Sequence, residues 1–190
     1  MDGLGRRVSG LESTLHDRTG SLIAGGAGSP LRPSLASPRF SDKHGDMFRL
    51  DPRLEQDTVP LARLSLAHVL LMCDARYPWL ILVPARPDLC ELHDLGAADR
   101  TQLIEEAAQV SRVLERLFKP DKINLGALGN IVRQLHIHVI ARRIGDSAWP
   151  GPVWGQGAAV PYSAEALAAT RERLTAALAL ESTGSVPSGN

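Results

Sequence analysis

What the chain has little of narrows the field. Only two cysteines occur in 190 residues, Cys73 and Cys90, and neither stands in a Cys-x-x-Cys or Cys/His spacing. Both read as buried thiols of a reducing compartment, so a cytoplasmic location is expected. No run of about 18 apolar residues is present, which argues against a membrane-spanning helix and a membrane partner. Neither sign of charge is in excess, with 21 Lys and Arg against 21 Asp and Glu. That balance gives no reason to expect nucleic acid or an anionic surface as partner. No internal repeat is visible, and no cofactor or resident metal is expected.

What is there suits one globular domain, since 44% of the residues are hydrophobic. Residues 1–46 differ, being dominated by Gly, Ser, Pro and Arg. Arg6-Arg7 suggests an export signal, but Glu12 and Asp17 interrupt the segment that would have to be apolar. The expectation is a disordered extension over 1–46, a domain over 47–182 and a flexible tail over 183–190. Met47 is an alternative native start.

Within the domain, Phe48-Arg49-Leu50 reads as an edge strand ended by Asp51-Pro52. Leu64–Asp74 and Trp79–Val83 read as strands joined by a turn, and Pro84-Ala85-Arg86-Pro87 bars another central strand. Gly96–Phe118 predicts a helix, with Leu103, Ala107, Val110, Leu114 and Leu117 as its apolar stripe. Ile123-Asn124-Leu125 begins a further strand, and Ser163 caps a last helix over about 164–179. His68 and His93 read as structural or loop residues. This order of elements argues for an α+β domain with an antiparallel sheet.

The chemistry concentrates in Asn130 to Arg143. Val132–Ile140 is rich in β-branched and apolar residues and reads as a strand. Strand alternation then puts Gln134, His136 and His138 on one face and Leu135, Ile137 and Val139 on the other. Two imidazoles at that spacing stand roughly 7 Å apart at Cβ, close enough to lean onto one phosphate or metal ion.

Gln134-Leu135-His136-Ile137-His138-Val139-Ile140 resembles the His-φ-His-φ-His-φ-φ signature (φ apolar) of the histidine-triad (HIT) nucleotide hydrolases and transferases, with Gln134 in place of the first histidine. The likeness extends over Leu66 to Gly155. Leu70 to Asp74 and Trp79 to Pro84 resemble the family's paired strands. Asn124, Gly126 and Gly129 resemble its phosphate-side loop, and Trp149-Pro150-Gly151 its Trp-Pro segment. The resemblance implies a five-stranded antiparallel sheet with helices and a homodimer. It implies a small-molecule nucleotide substrate, with His136 as nucleophile and His138 on the phosphate. Asp74 would meet the ribose, and Asn124, Gly129 and Asn130 would serve nucleotide binding. For Asp74 alone, a turn-forming aspartate explains the position nearly as well.

Two departures qualify the activity. Gln134 carries no transferable proton, although its side-chain oxygen can accept a hydrogen bond and orient His136. Ile131 stands where many members have a serine. Three readings follow: a phosphoanhydride hydrolase or transferase working through a nucleotidyl-His136 intermediate, a catalytically weak nucleotide sensor, and a His-x-His metal protein.

Overall fold

The computed structural model describes residues 48–183. The extension expected over 1–46, the alternative start at Met47 and residues 184–190 lie outside that range. Asp51-Pro52 starts a helix here rather than ending a strand. The Asp51 carboxylate accepts the Arg53 N–H, and Pro52, whose missing N–H costs nothing in a first turn, opens α1 (Pro52–Asp57). Phe48 to Leu50 therefore form no strand.

The edge strand is β1 (Thr58–Arg63), which pairs antiparallel with β2 (Ala67–Met72). Pro60 lies in β1, with a register shift between Pro60 and Ala62, as an edge position tolerates. The expected strand over Leu64–Asp74 is thus β2 preceded by a tight turn. β3 (Trp79–Pro84) follows, then a single 3-10 turn at Leu92–Asp94 and the long helix α2 (Ala97–Phe118). β4 (Lys122–Gly126), β5 (Ile137–Arg142) and α3 (Ala164–Thr183) complete the described elements. Ser163 caps α3 as expected, its hydroxyl accepting the Ala166 N–H.

The sheet order is β1-β2-β3-β5-β4, and every neighbouring pair is antiparallel. The five-stranded α+β arrangement expected from the sequence is the one found. One sheet face packs Val69, Leu71, Leu80, Leu82 and Val139 against Leu103, Val110 and Leu114 of α2 and Leu174 and Leu178 of α3. The other face carries a second core of Leu70, Tyr77, Trp79, Ile81 and Ile140, covered by Leu54, Val132, Ala148 and Val153. Burial on both faces explains why β2 and β3 read as unbroken apolar runs rather than alternations. The second face holds the site.

Candidate active site

β5 begins only at Ile137. Its pairing with β3 ends at Leu82–Ile137, although β3 itself runs on to Pro84, and its pairing with β4 ends at Gly126–His138, so residues before 137 lie outside the ladder. The Leu135 N–H instead donates to the Leu89 carbonyl. The strand expected from Val132 is therefore irregular up to His136. The Gln134 side chain is committed to the entry segment before α1. Its amide oxygen accepts the Asp51 N–H at 2.9 Å, and its amide nitrogen donates to the Arg49 carbonyl at 2.8 Å.

His136 and His138 nonetheless come together. Their ring centroids stand 4.8 Å apart with planes at 78°, and both residues are buried. His136 Nδ1 lies 2.6 Å from the Gln134 main-chain oxygen. A carbonyl only accepts, so Nδ1 carries a hydrogen, and in the neutral ring the lone pair is on Nε2. The backbone of Gln134, rather than its side chain, orients His136. His138 has the opposite arrangement, because the Trp79 indole N–H donates to its Nδ1 at 2.9 Å. Burial, reinforced by the neighbouring His136 ring, pushes the His138 imidazole down to about 3, so it is neutral at pH 7.

Both rings open onto a pocket of about 420 Å³, bounded by Leu54 of α1, Met72 and Asp74, Trp79 and Ile81, Asn130 to Val132, and the segment Val153 to Gly157. Trp154 stands 5.6 Å from the His138 ring and perpendicular to Trp79. Gly126 makes room for it, since a Cβ there would come within 2.7 Å of the Trp154 ring. A polar groove lined by Cys90, Glu91, Ala127 to Asn130 and Arg133 shares Leu128 and Asn130 with the pocket. An apolar hollow thus lies on one side of the histidines and a polar groove alongside.

The other sequence candidates divide. Gly129 and Asn130 line the groove, and Asn130 also lines the pocket. Asp74 is at the pocket wall and buried, with its carboxylate engaged by both Nε and Nη2 of Arg76 and by the Arg76 and Val160 N–H groups. Burial alone would raise its pKa, but the hydrogen bonds, led by the Arg76 side chain, hold it below the usual carboxylate range. Arg76 also donates to the Gln156 carbonyl, tying that wall in place. Asn124 does not join the histidines. It lies in β4 and accepts from Arg142, itself buried and paired with Asp146. His68 stacks on Phe48, His93 is exposed in the 3-10 turn, and neither lines the pocket.

Sequence reasoning passed over Trp79 and Arg76. Trp79 read as one more apolar strand residue, and only the β3–β5 register brings its N–H to His138. Among the described residues, no group of three or more His, Cys, Asp or Glu is placed to hold a metal ion. Nor is any described helix long and apolar enough to cross a membrane.

Comparison with known proteins places this geometry. The HIT domain family matches residues 53–145. A solved histidine triad protein from Bradyrhizobium japonicum is 45% identical, with TM-score 0.67, covering 69% of this chain and 98% of its own. One from Sinorhizobium meliloti is 49% identical, with TM-score 0.67 and coverage of 68% and 96%. One from Marinobacter aquaeolei is 43% identical, with TM-score 0.69 and coverage of 70% and 98%. Among curated proteins, an AP-4-A phosphorylase from Mycobacterium tuberculosis is 28% identical over 129 residues, 63% of this chain. The match spans only 57% of that relative's length.

Proposed function

Because the chain belongs to the HIT domain family, we propose that it cleaves a phosphoanhydride bond of a dinucleoside polyphosphate or nucleotide conjugate through a covalent nucleotidyl-His136 intermediate. The observation that carries this reading is the His136 Nδ1 bond to the Gln134 carbonyl, which puts the lone pair of the neutral ring on Nε2, in a pocket beside a second imidazole. A neutral imidazole is a competent nucleophile at pH 7. Nε2 attacks a nucleotide phosphorus, a P–N bond forms, and the P–O bond to the leaving phosphate breaks with its electron pair on that oxygen. Water or inorganic phosphate then attacks the same phosphorus, and the electron pair of the P–N bond returns to Nε2. His138 donates from Nε2–H to a non-bridging oxygen, where negative charge grows in the transition state. Gly129 and Asn130 border the path of the departing phosphates, and Met72, Ile81 and Trp154 offer apolar surface to the base. Asp74 lies where the ribose would sit.

Gln134 and Ile131 bear on the leaving group. A polyphosphate departs as a stable anion and needs no proton, whereas an amine does. A site with no proton donor at either position favours the former. The acceptor is read from the product: water yields a nucleoside monophosphate, and phosphate yields a diphosphate. The relative named AP-4-A phosphorylase makes the second worth assaying. As the family resemblance implies, we also propose a cytoplasmic homodimer, which sedimentation in solution tests for assembly.

The experiment is incubation of the full chain with a panel of dinucleoside polyphosphates and nucleotide conjugates, with mass detection of an acid-labile adduct at His136. Turnover with an adduct that disappears in His136→Ala is expected. Tight nucleotide binding without product would instead favour a sensor, and neither binding nor turnover would end the nucleotide reading.

A further inference from the structure

The pair of histidines is asymmetric in a way that one aromatic side chain explains. Trp79 opens β3 opposite Ile140, while Ile81 lies opposite His138. Trp79 and Ile81 share a strand face, so the Trp79 indole reaches diagonally over the sheet to the His138 ring. The ring centroids are 5.4 Å apart and the N–H to Nδ1 distance is 2.9 Å, with both residues buried. An indole N–H is a donor only, so Nδ1 of His138 must present its lone pair, and the single proton of the neutral ring then lies on Nε2. We propose that Trp79 is a positioning residue that holds His138 as a neutral, Nε2-protonated imidazole, so that His138 serves the site as a hydrogen-bond donor and not as a titrating acid.

The opposite tautomers follow from opposite partners. A carbonyl on His136 makes its Nε2 a lone pair, and an indole on His138 makes its Nε2 an N–H. One ring attacks while its neighbour stabilises, and neither can exchange roles without breaking a buried hydrogen bond. Protonating His138 would put a hydrogen on Nδ1 facing the indole hydrogen. The surroundings offer no compensation. Trp79, Ile81 and Trp154 are uncharged, and His136 is the one titratable ring in contact. Two carboxylates line the pocket, and each is paired with an arginine, Asp74 with Arg76 and Asp57 with Arg53. Burial also disfavours the charged ring.

That the donor meets a substrate phosphate rests on the nucleotide reading; the tautomer does not. The test is therefore a long-range proton–nitrogen correlation spectrum of the full chain with labelled histidine, run beside the turnover assay. In the unaltered protein, His138 is expected as the Nε2–H tautomer, unprotonated down to pH 5, while His136 shows Nδ1–H. In Trp79→Phe, which keeps a ring but loses the donor, His138 is expected to populate both tautomers and take up a proton at higher pH, with His136 unchanged. Turnover should fall about tenfold in kcat, with KM changed less, the effect of one lost hydrogen bond in the transition state. An Nδ1–H tautomer at His138 in the unaltered protein, or a His138 spectrum indifferent to Trp79→Phe, overturns the proposal. The first measurement holds even if the variant fails to fold. Absence of turnover in the unaltered protein, with the tautomers as expected, overturns the phosphoanhydride-cleavage reading while upholding the role of Trp79.

Discussion

Gln134 is the residue whose substitution separates chemistry from support. Its side chain ties the entry segment through Arg49 and Asp51, while its main-chain carbonyl holds His136. Gln134→Ala removes two hydrogen bonds and leaves the carbonyl, so a stability loss of about 1–2 kcal/mol is expected, with kcat within about threefold. Urea unfolding and steady-state kinetics check both halves. A kcat loss above a hundredfold at unchanged stability would show that the amide takes part in catalysis. Asp74 invites a sharper substrate test. Its oxygens are already saturated by Arg76 and Val160, so ribose hydroxyls reach it only by displacing Arg76. The preference for ribo- over 2′-deoxyribonucleotides should therefore be small in the unaltered chain, under about threefold, and should grow in Arg76→Ala, where the carboxylate is freed. Equal preference in both proteins would remove Asp74 from sugar recognition.

At the scale of elements, β4 and the Trp154 segment meet at one glycine. Gly126→Ala places a methyl against the Trp154 ring, which must shift, and Trp154 is a pocket wall. A KM raised about tenfold, with at most about 1–3 kcal/mol lost in unfolding, is expected. An unchanged KM would mean the indole moves without touching the ligand. Helix α2 offers a second test. Buried Glu106 accepts the N–H groups of Leu66 and Ala67 in the β1–β2 turn and the Gln102 amide. Glu106→Ala strands those donors and should cost about 2–4 kcal/mol in urea unfolding, whereas Glu106→Gln, which keeps one acceptor oxygen, should cost less. Helices α2 and α3 were legible because apolar spacing and caps are local properties, and Glu106 was not, because its partners lie 39 and 40 residues away. β1 escaped notice because Pro60 reads as a breaker unless the strand is known to be an edge. The run from Val132 has strand composition, yet its backbone leaves the ladder before Ile137, where the Leu135 N–H turns to the Leu89 carbonyl. β4 runs out opposite His138, and β5 parts from β3 after Ile137 although β3 continues to Pro84.

For the whole molecule, the two histidines were legible as a pair from their spacing, but their inequality was not, since it comes from partners in β3 and in the irregular segment. That inequality makes a global prediction about stability against pH. An unfolded His138 takes up a proton near pH 6.5, whereas the folded ring stays neutral until about pH 3. Between those values the unfolded chain binds more protons at this position, so stability is full above about pH 6.5 and is lost as pH falls through the window. The slope contributed by one such group approaches about 1.4 kcal/mol per pH unit. Asp146, pulled down to about 2 chiefly by its hydrogen bonds to Arg142, acts in the same direction but only below the ordinary carboxylate range. The interval from pH 7 to 5 therefore isolates the histidine. Urea unfolding at pH 7, 6 and 5 should show His138→Gln, which keeps an acceptor for Trp79, losing less stability on acidification than the unaltered protein by about 2 kcal/mol between pH 7 and 5. Parallel curves for the two would mean that His138 protonates in the folded state as it does in the unfolded one, and that the indole bond does not hold it neutral.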